Sequence, residues 1–174
     1  MKSNPNVSTR YADIITSVYK KNALVLFLRI ISYFAVAVCA MLYCLMLVKY
    51  AVCKDHIRLI GVTVVTGASF FAVTVARRLI NAPRPYELIS FPVKAPKSKL
   101  GRSFPSRHVF SIFLICAVIF FDCFWAGIAL AFLGIALACS RVLMGIHFIR
   151  DVVAGGISGA ICGAVGMCIF FMIV

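Results

Sequence analysis

Four stretches free of Asp, Glu, Lys and Arg constrain this chain more than any other feature: 19 residues over Ile30–Val48, 18 over Leu59–Ala76, 18 over Cys123–Ser140 and 23 over Val152–Val174. A bilayer core is crossed by about 20 mainly apolar residues, each rising about 1.5 Å along a helix. No water reaches the hydrocarbon, so each run must satisfy its backbone hydrogen bonds internally, as a helix. A fifth run, Val109–Phe121, has only 13 uncharged residues and reaches spanning length as Ser106–Phe124 with polar residues at its mouth. The expected fold is all-α: a single membrane domain, 1–174, forming an integral bundle of about five transmembrane helices near 24–48, 57–76, 106–124, 125–143 and 152–174.

Ahead of the first span, Tyr11, Ile14, Ile15, Val18 and Tyr19 recur at helical spacing, which predicts an amphipathic helix within a leader over 1–22, lying at the membrane interface and anchored by Lys20 and Lys21. A plain polar leader is the alternative. Some twenty polar or amphipathic residues before the first long apolar run do not fit a cleaved signal peptide.

Charge decides which partners to expect. The chain carries 18 Lys+Arg against 5 Asp+Glu, a formal +13, which in a soluble protein would suggest nucleic acid. With 63% hydrophobic residues the anionic partner expected is instead the lipid bilayer, and no nucleic acid. The five carboxylates, Asp13, Asp55, Glu87, Asp122 and Asp151, are scattered, whereas two-metal phosphohydrolases bridge their ions with clustered carboxylates; neither metal nor cofactor is expected. None of the eight cysteines has CxxC spacing, and nearly all lie in apolar runs as small hydrophobes.

The connections are unequal. Arg77–Arg107 is a 31-residue segment with five prolines and eight basic residues, which forbids one continuous helix and predicts a structured loop or re-entrant cap. If the provisional third span crosses, alternation brings this loop and Arg141–Asp151 to the same side. Three clusters then meet: Arg77-x6-Arg84-Pro85, Pro105-Ser106-Arg107-His108, and Ser140-Arg141-x5-His147-x3-Asp151.

Each cluster has an ordinary structural use: interfacial arginines snorkel, Ser106 suits a helix cap, and a His–Asp pair four apart is often a structural hydrogen bond. Together they read differently. Guanidinium forks match phosphate oxygens, and a helix start at His108 offers amides and a positive dipole to the same anion. On a helix His147 and Asp151 share a face, so the carboxylate can hold one tautomer of a nucleophilic imidazole. Two histidines beside Arg77, Arg84, Arg107 and Arg141 suggest two-step phosphoryl transfer, with His147 attacking phosphorus and His108 serving as acid and then base. Spacing alone leaves the two roles interchangeable.

The order and spacing of these clusters resemble the tripartite signature of the type 2 phosphatidic acid phosphatase superfamily, KxxxxxxRP, PSGH and SRxxxxxHxxxD. That resemblance implies a metal-independent membrane lipid phosphatase in which His147 forms a phosphohistidine, Asp151 orients it, His108 is the general acid, and Arg77, Arg84, Ser106, Arg107 and Arg141 hold phosphate. It implies a lipid phosphate or diphosphate as substrate: phosphatidic acid, phosphatidylglycerol phosphate, a phosphorylated lipid-linked sugar, or a polyprenyl diphosphate such as undecaprenyl diphosphate. Arg77 stands where the signature has Lys, and Arg107 where it has Gly. Relatives often have six spans, so five suggests loss of the first. A non-catalytic anionic-lipid binding protein and a small anion transporter are the rival classes.

Two points stay open. The motif side holds 14 Lys+Arg against three opposite, which the positive-inside rule assigns to the cytoplasm of a multi-pass cell-membrane protein, whereas many bacterial relatives act on the outer side. Gly159 and Gly163 form a GxxxG that serves either packing within the chain or a homodimer.

Overall fold

The computed structural model describes residues 5–89 and 100–173. They form helices and connections only: α1 Pro5–Tyr19, α2 Asn22–Val52, α3 His56–Ile80, the short α4 Pro85–Leu88, α5 Arg107–Phe120, α6 Phe124–Leu143 and α7 Ile149–Ile173. Pro92, Pro96 and Lys94, Lys97 and Lys99 of the basic loop lie outside the described residues. The protein is a multi-pass membrane bundle: α2, α3, α6 and α7 are long and apolar enough to cross a bilayer.

The fifth helix of the bundle is a shorter apolar one. At 14 residues α5 spans about 21 Å at 1.5 Å per residue. It is short because it is the core of the bundle and not a lipid-facing wall: Val109, Phe110, Ile112, Leu114, Cys116, Val118 and Ile119 are all buried. At its far end Asp122 takes an ion pair from Lys49 Nζ at 2.6 Å and a hydrogen bond from Tyr50 at 3.0 Å, both at the end of α2. The ends of α2 and α5 therefore share one side. The start of α5 lies opposite, with α1, the end of α3 and the α6–α7 turn.

Helix α7 lies against α5 through a row of glycines. A Cβ at Gly155 would stand 2.6 Å from the Ser106 carbonyl oxygen, at Gly159 2.3 Å from that of Phe110, and at Gly163 2.6 Å from that of Leu114. Backbone touches backbone along this seam, which only residues without side chains permit. The Gly159–Gly163 motif is thus used within the chain.

Helix α1 departs from expectation. Instead of lying only at the interface, it buries Ile15, Val18 and Tyr19 against Val25, Leu28 and Met144, and leaves Ile14 53% exposed. Its tyrosines cap carbonyls of the α6–α7 turn: Tyr11 donates to Val142 and His147 oxygens, and Tyr19 to that of Met144, each at 3.2 Å. The expected stripe is real, and its occupant is this turn.

Candidate active site

The site is assembled from helix ends. Arg77, in the last turn of α3, reaches back over the returning loop: Nη1 donates to the Ser103 oxygen at 3.4 Å and to that of Pro105, and Nη2 donates to that of Arg102. The planar fork spreads its donors over two terminal nitrogens and so spans the three carbonyls, where an ammonium would offer all its donors from one atom. The Arg-for-Lys departure is thereby explained as a strap on the second cluster. Beyond the left-handed Asn81 that ends α3, Ser103 N donates to the Ala82 oxygen at 2.8 Å and Arg84 Nε to that of Gly101 at 3.1 Å. Glu87 Oε1 accepts from the amides of Arg84 at 3.1 Å and Gly101 at 2.7 Å, so this acid serves backbone and not the cleft.

Ser106 occupies the N-cap position of α5, followed by Arg107 and His108 in the first turn. Its amide donates to the Asp151 carbonyl at 2.8 Å, joining the second and third clusters. Its hydroxyl is fully buried, makes no hydrogen bond among the described residues and does not line the cleft. The Arg107 guanidinium stacks over the Phe70 ring of α3, 5.6 Å from its centroid, and still lines the cleft.

His147 is not on a helix. It sits in the turn between α6 and α7, where Gly145 takes a positive φ of 67°, and its amide donates to the Arg141 oxygen at 3.3 Å. The expectation that helical i, i+4 spacing pairs it with Asp151 is corrected: α7 begins at Ile149, and the pair forms across the turn. His147 Nδ1 and Asp151 Oδ2 are 3.6 Å apart, beyond a good hydrogen bond. Ser103 bridges them, with Oγ 3.2 Å from Nδ1 and 2.5 Å from Oδ2. Phe148 N donates to the same carboxylate oxygen at 3.1 Å, and Arg150 Nε lies 3.5 Å from the other. Burial holds the His147 imidazole below its ordinary pKa; the nearby Asp151 carboxylate pulls the other way, and Arg84 and Arg77 add to the lowering. A neutral, nucleophilic ring is favoured.

These elements enclose a cleft of about 500 Å³. Arg77, Arg84, Arg107, His108, Arg141 and His147 line it, so the structure brings together six of the eight residues singled out in the sequence. Asp151, fully buried, stands behind His147, and Ser106 stands behind Arg107. No Asp or Glu lines the cleft among the described residues. Helix α2 adds Arg29, Ser32 and Tyr33.

The family model of the PAP2 superfamily matches residues 58–174. The chain belongs to the PAP2 superfamily. It is accordingly an enzyme of the phosphatase type that its cleft describes, while α1 and α2 lie ahead of the matched region. No curated protein sequence matches significantly. Among solved structures the chain is similar to LpxE from Aquifex aeolicus, with TM-score 0.71 and 19% identity, covering 97% of this chain and 96% of that one. It is also similar to the first transmembrane PAP2-type phosphatidylglycerolphosphate phosphatase from Bacillus subtilis, with TM-score 0.68 and 16% identity, covering 99% and 90%. At these identities the likeness establishes the shared fold.

Sequence reasoning missed Ser103 and Arg29, and gave Tyr11 only an interfacial place. A serine in a Gly- and Pro-rich loop reads as a turn residue, and the partners of Ser103 lie 44 and 48 positions away. Arg29 had a usable signal, a lone charge inside an apolar span.

Proposed function

We propose that the whole chain, 1–174, acts as one metal-independent lipid phosphatase that removes a terminal phosphoryl group through a phosphohistidine. The carrying observation is the chain of contacts Asp151–Ser103–His147 behind a cleft lined by five guanidiniums. An ionised carboxylate only accepts, so Ser103 Oγ–H donates to Asp151 Oδ2; the Ser103 oxygen is then free to accept from His147 Nδ1–H. That places the imidazole proton on Nδ1 and the lone pair on Nε2.

Nε2 attacks phosphorus and forms the N–P bond as the P–O bond to the lipid breaks. His108 delivers a proton to the departing oxygen, then takes one from the water that cleaves N–P, and phosphate leaves. Arg84, Arg107 and Arg141 stabilise the charge on the phosphoryl oxygens, with Arg77 holding the loop and contributing its charge. Arg141 lines the cleft, and its buried Nε has no hydrogen-bond partner among the described residues, which supports an anion-binding task. Among the described residues no three His, Cys, Asp or Glu side chains are grouped as metal ligands, and the guanidiniums supply the positive charge that an ion otherwise would.

The test is phosphate release in detergent with chelator present, over a panel of lipid phosphates and diphosphates. Wild type is expected to turn over and His147→Ala to be inactive while still binding lipid. Full turnover by a folded His147→Ala protein, or restoration by a divalent ion after chelation, refutes the mechanism.

A further inference from the structure

One wall of the cleft takes no part in the chemistry at phosphorus. Arg29, Ser32 and Tyr33 lie on one stripe of α2, a helix outside all three clusters and outside the matched family region. Ser32 fixes the stripe in place: its Oγ meets that of Ser140 at 2.6 Å, both buried, next to Arg141. Arg29 interrupts the apolar run Leu24–Ile31 within two turns of the start of α2 and, with Tyr33, stands exposed at the rim of the cleft. Neither Arg29 nor the Tyr33 hydroxyl has a hydrogen-bond or ion-pair partner among the described residues.

The same stripe continues deeper into the membrane. Val36, Cys39 and Ala40 line an apolar groove of about 310 Å³ that is closed on the other side by Phe70 and shares Arg107 and His108 with the cleft. A hydrocarbon chain leaving the cleft into this groove passes His108, the residue placed to protonate the departing oxygen. The wall of α2 therefore faces the leaving-group side of phosphorus. Charge points the same way. A phosphate monoester carries about −1.5 to −2 near neutral pH, whereas five guanidiniums and no carboxylate line the cleft.

We infer that Arg29 and Tyr33 form a subsite for a second anionic group borne by the leaving group. Building on the phosphatase reading above, this narrows the substrate class to a lipid diphosphate, or a lipid phosphate whose leaving group contains a phosphodiester. Arg29 pairs with the second group through charge-assisted hydrogen bonds, and Tyr33 donates its hydroxyl to it.

The test uses three substrates with the same hydrocarbon chain: a monophosphate, a diphosphate, and a monophosphate whose leaving group contains a phosphodiester. The readout is the ratio of kcat/KM on each two-anion substrate to that on the monophosphate. Arg29→Gln is expected to lower one of these ratios by about tenfold or more, the usual weight of a hydrogen bond to a charged group. Which ratio falls names the second group. Tyr33→Phe lowers the same ratio less, and Arg29→Lys recovers part of it. Equal ratios in wild type and Arg29→Gln overturn the subsite. The same ratio is read as Kd in a His147→Ala background. If wild type releases phosphate from nothing in the panel, the phosphatase reading fails while the binding ratio still decides the subsite.

Discussion

The glycine seam between α5 and α7 makes a steric prediction whose size follows from the coordinates. A Cβ added at Gly155 stands 2.6 Å from the Ser106 carbonyl oxygen, and ordinary contact begins at 3.4 Å, so the backbones must part by about 0.8 Å. The obstacle is backbone at the N-cap of α5, so no side chain can swing away. Gly155 follows Asp151 by one turn of α7, and the Ser106 amide donates to the Asp151 carbonyl at 2.8 Å; a parting of about 0.8 Å stretches that bond to about 3.6 Å and breaks it. His108 and His147 move apart with their helices. A misplacement near 1 Å costs about 100-fold in rate, and overpacking costs about 1–3 kcal/mol in stability. Gly155→Ala is thus expected to lower kcat by about 10- to 100-fold in a protein that still folds.

Two neighbours isolate the cause. At Gly156 the nearest atom is 3.5 Å from the added Cβ, so Gly156→Ala keeps wild-type turnover and gains helix propensity of up to about 1 kcal/mol. At Gly163 the clash recurs, 2.6 Å from the Leu114 oxygen, but at the end of the seam away from the cleft. Gly163→Ala should lower the melting temperature in detergent and leave kcat near wild type. Phosphate release and thermal unfolding on the three variants decide the matter. Wild-type kcat in a folded Gly155→Ala protein refutes the reasoning.

Ser103→Ala removes the bridge between imidazole and carboxylate and should lower kcat by about 10- to 100-fold, the range for a hydrogen bond to a charged group. It should also shift the acid limb of kcat/KM to lower pH, since Asp151 then supports the imidazolium less; an unmoved limb argues for a merely structural serine. In wild type, burial lowers the His147 pKa, so with His147 as the proposed nucleophile activity is expected to persist as pH falls through about 6.5. A pH profile with its acid limb above that value contradicts this.

The clusters were legible because they are local: a fork, a proline or an imidazole at fixed spacing carries its chemistry in the sequence. The bundle was legible because apolar run length is a one-dimensional signal. What the sequence withheld depends on distant pairing. Nothing near Ser103 announces Asp151, and nothing within Tyr11–Tyr19 distinguishes a lipid surface from the α6–α7 turn as the partner of an apolar stripe. The His147–Asp151 pair shows the limit of periodicity. Spacing of four fits a helix face, yet Gly145 at positive φ delays α7 to Ile149, and the pairing is made by a turn and a third residue.

The two departures from the family signature fall into place as one arrangement. Arginines crowded in a cleft repel, and the usual remedy, a carboxylate beside each, would neutralise the field an anionic substrate needs. Here Arg77 is held by three backbone carbonyls, Arg84 by the Gly101 carbonyl and the Tyr86 ring, and Arg107 by the face of Phe70. Carbonyl dipoles and ring quadrupoles orient a guanidinium without cancelling its charge. Lysine at position 77 would offer its three donors from one nitrogen and not from a planar fork, and glycine at position 107 places nothing over Phe70. Asp151, the one carboxylate beside His147 among the described residues, is kept behind that ring, where in the proposed mechanism it acts through Ser103 and leaves the positive field of the cleft to the substrate.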